Sequence, residues 1–222
     1  MKKQLAIIAG LMAAVLTLTA MPARAEIAPE ILRILQRSDE VMSNQGGVRM
    51  DMSVKVSMLV FSFNMNVLMM EKDDKSKAAI TATVLGKEVK SEEGCDGVQA
   101  WEYKKGLLKG ERDTLILSPC EKSEYSVDMS VHEDYENAKM ALKKGVYEIT
   151  LTDPKDKEMP KKTIFRIHSE SFHPLSMEIK DSGLTMVMKI NNITFGVPDE
   201  AFVLNMADYP DAVVVKKFET ED

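Results

Sequence analysis

Val48-Arg49-Met50-Asp51-Met52-Ser53-Val54-Lys55-Val56-Ser57-Met58 alternates apolar and polar side chains without a break. A period of two sends successive side chains to opposite faces of a sheet, so the stretch reads as a long strand with one face buried. Just downstream the phase slips: Phe61, Phe63, Met65, Val67 and Met69 become the apolar set, while Ser62, Asn64 and Asn66 take the other face. A slip of one residue would carry the whole apolar set across the sheet, so a tight turn or bulge is predicted around Leu59-Val60-Phe61. The two runs are then expected to present Met50, Met52, Val54, Val56 and Met58 together with Met65, Val67 and Met69 to one apolar interior.

Upstream, Pro29 suits a first helical turn, and Ile31, Ile34, Leu35, Val41 and Met42 recur at near-helical spacing until Gly46-Gly47 stops them. Downstream, the charged run from Glu71 to Lys77 reads as a solvated turn, and Gly86-Lys87 and Asp96-Gly97 as hairpin turns. Strand-like segments fall at 78–85, 88–94, 98–104 and 114–117. A second helix is predicted over 131–144: Ser130 with Glu133 forms a capping box, Val131, Tyr135, Ala138 and Leu142 share a face, and Gly145 ends it. The two-residue period then returns in Tyr147, Ile149 and Leu151, in Phe165 and Ile167, and in Leu175, Met177 and Ile179. Asp181-Ser182-Gly183 turns the chain into Leu184, Met186, Met188 and Ile190, which bring Met186 and Met188 to the same interior, and Val213-Val214-Val215 is an edge strand. The fold class is α+β: roughly eight to eleven strands in a large curved antiparallel sheet, an incomplete β-barrel, with the helices packed over its concave face.

With 222 residues, 45% apolar and 6% aromatic, the chain is neither disordered nor collagen-like. Its 29 Lys and Arg against 35 Asp and Glu argue against nucleic acid as a partner. Residues 1–25 have the layout of a secretory signal peptide: Lys2 and Lys3 lead, Leu5 to Ala20 is apolar, and Ala23-Arg24-Ala25 offers small residues for cleavage after Ala25. That apolar core is shorter than the roughly 20 residues a membrane span requires. Residues 26–222 are then one soluble exported domain, expected as a monomer in the periplasm of a two-membrane bacterium. An oxidising compartment permits a disulfide between Cys95 and Cys120, the only two cysteines.

His132, His168 and His173 stand in no HExxH, GxSxG or P-loop pattern, so no catalytic residue, metal or cofactor is assigned. Fourteen of the seventeen methionines follow Ala25, many of them on predicted strands. Unbranched, polarisable thioethers repack around ligands of irregular shape, which suits flexible acyl chains. The alternatives are a filled structural Met core and soft-metal ligation by Met50-x-Met52 and Met186-x-Met188.

Four segments resemble the LolA/LolB-like outer-membrane lipoprotein carrier family. IAPEILRILQRSDEVMSN followed by VRMDMSVKVSM resembles its opening helix and strand, and CDGVQAWEYKKG, with Asp96, Gly97, Trp101 and Tyr103, its recurring hairpin. NITFGVPDEAFVL, with Asn192, Phe195, Pro198 and Phe202, is similar to its closing segment, and YPDAVVV to its last edge strand. The resemblance spans about residues 26–218. It implies a half-barrel under a helical lid, whose apolar cavity shields acyl chains of lipoproteins or lipids and passes them from an inner-membrane donor to an outer-membrane acceptor. Where carriers of that family place an arginine after the second long strand, this chain has Glu71-Lys72-Asp73-Asp74-Lys75. An envelope sensor or maintenance factor binding lipid or lipidated protein on the same fold is the runner-up.

Overall fold

The alternating stretch lies at the centre of a twelve-stranded open sheet in the computed structural model, which describes residues 27–43, 46–84, 86–106, 110–120, 132, 134–157 and 159–217. One helix, α1 (Pro29–Ser43), precedes β1 (Val48–Ser57), β2 (Ser62–Lys72), β3 (Lys75–Val84), β4 (Lys87–Cys95), β5 (Gln99–Lys104) and β6 (Thr114–Pro119). The second half runs β7 (Tyr135–Lys143), β8 (Val146–Pro154), β9 (Lys162–His168), β10 (Pro174–Asp181), β11 (Leu184–Phe195) and β12 (Val213–Lys216). The spatial order is β12-β6-β5-β4-β3-β2-β1-β11-β10-β9-β8-β7. All neighbours are antiparallel except β12, which lies parallel to β6 as the edge that the three valines predicted.

The phase slip is a four-residue turn. Ser57 pairs with Ser62, and the Met58 N–H donates to the Phe61 carbonyl at 2.8 Å. An even-length turn sets even-numbered residues of β1 beside odd-numbered residues of β2, so Val56 faces Phe63, Val54 faces Met65, and Met52 faces Val67 on one side. Asp96 builds a second turn by accepting from the Val98 and Gln99 N–H groups at 2.9 and 2.8 Å, with Gly97 at φ 97° where a side chain is disfavoured. The disulfide between Cys95 and Cys120, Cα atoms 5.7 Å apart, joins the end of β4 to the residue after β6.

Where the sequence predicts a helix over 131–144, the described residues from Tyr135 onward are extended. Tyr135–Lys143 is strand β7, and Lys144 (φ 51°) and Gly145 (φ 77°) form a two-residue hairpin turn into β8. The sequence reading took Gly145 for a helix stop, but paired positive φ angles are the geometry of a type I′ turn, which matches strand twist. In the extended form Tyr135 is 1% exposed, and its hydroxyl bonds the Pro160 carbonyl at 2.9 Å and Thr163 Oγ1 at 2.8 Å. Val131 and the Ser130–Glu133 capping pair lie outside the described residues.

The sheet is covered on opposite faces in its two halves. On the inner face, α1 lays Ile31, Ile34 and Leu35 against Tyr135, Ile149, Leu151, Phe165 and Ile167 of β7–β9, and Met42 against Val48, Met50 and Met52 of β1. On the outer face of β2–β6, the segment after β11 packs Val197 and Phe202 against Met70, and Tyr209 against Trp101, Tyr103, Leu115 and Leu117. This is why β2 carries the unbroken run Val67-Leu68-Met69-Met70: its alternate side chains are buried on both sides.

Candidate functional site

The inner face carries an apolar wall built by register. Val54 pairs with Met65 on one side and Met188 on the other, Met188 with Met177, Met177 with Phe165, and Phe165 with Ile149. A parallel row runs Phe63, Val56, Met186, Ile179, and a third joins Val67, Met52 and Ile190. Directly opposed residues of neighbouring strands sit about 4.5–5.5 Å apart at Cβ, so each row is a continuous strip of side chains across the sheet.

Burial grades along these strips. Met50, Met52, Val54 and Val56 on β1 are 2–8% exposed, whereas Met65, Val67, Met69, Met186 and Met188 are half-buried. Met58 departs from the expected wall: it lies past the end of β1 in the turn and is 45% exposed. Met177, Ile179 and Phe165 extend the wall beyond the candidates named from sequence. Their alternation was legible, but the β11-β10-β9 order that adds them is a pairing fact which no local pattern carries. Towards β4–β6 the wall turns mixed, because there polar Ser91, Glu93, Glu102, Lys104 and Thr114 share the inner face with Val89, Ala100 and Ile116.

A cavity of about 440 Å³ opens where the end of α1 meets the start of β1 and the end of β2. Met42, Val48 and Met50 line it together with Asp39, Ser43, Glu71, Lys72 and Asp73. Burial, with the charge of Asp39 added, raises the Glu71 pKa above the usual carboxylate value. A second cavity of about 330 Å³ lies beside Met65 and Ala82. Ser38, on the buried stripe of α1, is fully buried and its hydroxyl has no hydrogen-bond partner among the described residues.

The charged run Glu71-Lys72-Asp73-Asp74-Lys75 places its lysines on the other face. Lys72 and Lys75 place their ammonium groups 2.7 and 3.1 Å from Asp199, clasping the outer-face segment. Nearby, Glu92 is 8% exposed, accepts from the Tyr209 hydroxyl at 2.5 Å and pairs with Lys77 at 2.9 Å. Burial works to raise the Glu92 pKa, but these bonds and the lysine charges outweigh it and hold it below 4.5. A depressed carboxylate stabilises the fold above its unfolded value and loses that contribution as the pH falls through the folded value. Tyr209→Phe is therefore expected to cost about 1.5–3 kcal/mol at neutral pH. Urea unfolding should show this penalty shrinking as the pH falls below the ordinary carboxylate range and through the depressed Glu92 value.

The histidines have local partners. His168 Nδ1 accepts from the Glu170 and Ser171 N–H groups at 3.4 and 3.3 Å, and the His173 ring lies 5.6 Å from that of Phe195. No cluster of metal-binding side chains occurs among the described residues.

No family model matches the chain, and no curated protein sequence matches it. Among solved structures it is similar to an uncharacterized conserved protein from Thermus thermophilus, with 13% identity over 85% of this chain and 99% of that one, at a TM-score of 0.51. It is similar to MucB with 10% identity over 84% of this chain and 66% of that one, at a TM-score of 0.50. A LolA superfamily protein from Nitrosomonas europaea, NE2245, is also among its neighbours, with 12% identity over 78% and 97% and a TM-score of 0.36. At these identities the likeness to the first two establishes a shared fold and nothing more.

Proposed function

We propose that the chain is a non-enzymatic periplasmic carrier, exported by cleavage after Ala25, whose single domain shields the acyl chains of lipoproteins on the way to the outer membrane. The observation that carries this reading is the apolar row from Met65 through Val54, Met188 and Met177 to Phe165, half-buried at Met65, Met188 and Met177. It is supported by the order of the motifs that resemble lipoprotein carriers, from the opening helix to the closing segment.

The physical need is a matter of magnitude. Burial is worth about 0.8 kcal/mol per CH₂, so an acyl chain of about fifteen carbons would cost roughly 12 kcal/mol to leave in water. A carrier must offset most of that and still release its cargo to an acceptor. A wall of half-buried thioethers fits both demands, since methionine adapts its shape and holds no single rotamer firmly.

Native mass spectrometry of gently purified protein is expected to show bound lipid or lipoprotein, and labelled cargo should move from donor to acceptor vesicles when the protein is added. Absence of any bound acyl species, with no binding of a fatty-acid probe by delipidated protein, would leave only a filled core. A sensor on the same fold would bind the acyl species without moving it between vesicles.

A further inference from the structure

Four consecutive apolar residues crown the β1–β2 hairpin: Met58, Leu59, Val60 and Phe61 are 45%, 90%, 90% and 53% exposed. They sit within a run from Val56 to Met70 that holds no charged residue, in a chain 29% charged. The tip is built rather than loose. The bond from Met58 N–H to the Phe61 carbonyl closes it, the Phe61 ring stacks on Phe63 with centroids 6.3 Å apart, and Leu59 Cγ lies 3.4 Å from where a Cβ on Gly183 would stand.

We propose that this tip is a membrane contact, inserting Leu59 and Val60 into the interfacial layer of a phospholipid bilayer. The occupant follows from shape, area and charge. The four side chains expose roughly 500 Å², short of the ~800 Å² per partner that a stable protein interface takes, yet typical of a functional apolar patch. The tip is convex and needs no complementary pocket, only a fluid apolar phase. With no charge between Val56 and Met70, insertion is driven by apolar burial and not by anionic headgroups. A turn of four residues enters no deeper than the headgroup layer, because hydrocarbon offers no partner to any backbone group that the turn itself does not pair. Through Phe61 the tip continues into the inner-face row Phe63, Val56, Met186 and Ile179, so a bilayer docked there meets the end of the apolar wall.

The test uses the protein as recovered from its expression host, with vesicles of phosphatidylcholine alone and vesicles containing phosphatidylglycerol. Tryptophan placed at Val60 (Val60→Trp) should shift its emission to the blue and be quenched by brominated lipid in both vesicle types, in low and in high salt. Tryptophan placed at Lys55, on the outer face of the same strand, should not respond. Leu59→Asp with Val60→Asp should weaken vesicle binding by about tenfold or more, as acids replace aliphatic side chains at the interface. The same double variant should leave fatty-acid probe binding within about twofold of wild type, which separates this inference from the carrier reading. Silence of the Val60→Trp reporter, insertion that requires phosphatidylglycerol and vanishes in salt, unchanged vesicle binding by the double aspartate variant, or a tip-dependent dimer in place of vesicle binding would each overturn it.

Discussion

Gly94→Ala is expected to destabilise the fold by about 3 kcal/mol, although it adds a single methyl group. A Cβ at this position would stand 2.3 Å from Trp101 Cζ2 and 2.7 Å from Cη2. The indole cannot step aside, because it is 2% exposed in the outer-face cluster with Tyr103, Leu115, Leu117 and Tyr209. Replacing a strand glycine by alanine normally gains about 0.5–1 kcal/mol in backbone entropy, so the clash must exceed that gain before any loss is seen. Urea unfolding measures the result, and Trp101→Leu supplies the control. If the clash is the cause, Gly94→Ala should cost much less in the Trp101→Leu background than in the wild type. A cost within about 0.5 kcal/mol of zero would show that the cluster yields more easily than its packing implies.

Met188→Arg has the second large expected effect, and it falls on binding. Met188 is half-buried between Val54 and Met177 on the inner wall, so a long side chain there can reach solvent with its charge and leave the fold intact. Cargo lying on the wall would have to cover that charge. An unpaired polar group in an apolar site costs about 1–3 kcal/mol on protein scales, and 1.4 kcal/mol is tenfold, so affinity for an environment-sensitive fatty acid should fall by about tenfold to a hundredfold. Lys55→Glu on the outer face of β1 should change it little. Circular dichroism on both variants separates lost binding from lost structure, and equal loss in both would point to a general effect on the sheet.

The central hairpin was legible because period and phase are local properties. Val48 to Ser57 states its buried face residue by residue, and the slip at Leu59-Val60-Phe61 marks the turn that the structure places at 58–61. Helix α1 was legible for the same reason, with Ile31, Ile34, Leu35 and Met42 all buried. Residues 131–144 misled because Tyr135, Ala138 and Leu142 satisfy a helical spacing while Ala138, Met140 and Leu142 satisfy a strand spacing equally well. The tie is broken only by β8, whose eight paired positions reward the extended form. The wall was half legible. Its residues on β1, β2 and β11 could be named, but the exposure of Met58 and the addition of Met177, Ile179 and Phe165 depend on turn length and strand order. The outer-face cluster left a weaker signal, since Trp101 and Tyr103 alternate correctly but nothing local says that Tyr209 returns to cover them.

The central claim is that acyl chains lie against the inner face. Photolabelling with a fatty acid carrying a diazirine near its methyl end, followed by peptide mapping, tests it most directly. The label is expected on β2 and β11 at Met65, Val67, Met186 and Met188, with Met177 and Ile179 on β10 as further sites, and excess unlabelled fatty acid should compete it away. Labelling confined to the outer-face segment around Leu204 and Ala212, or labelling of the inner wall that no competitor displaces, would contradict it.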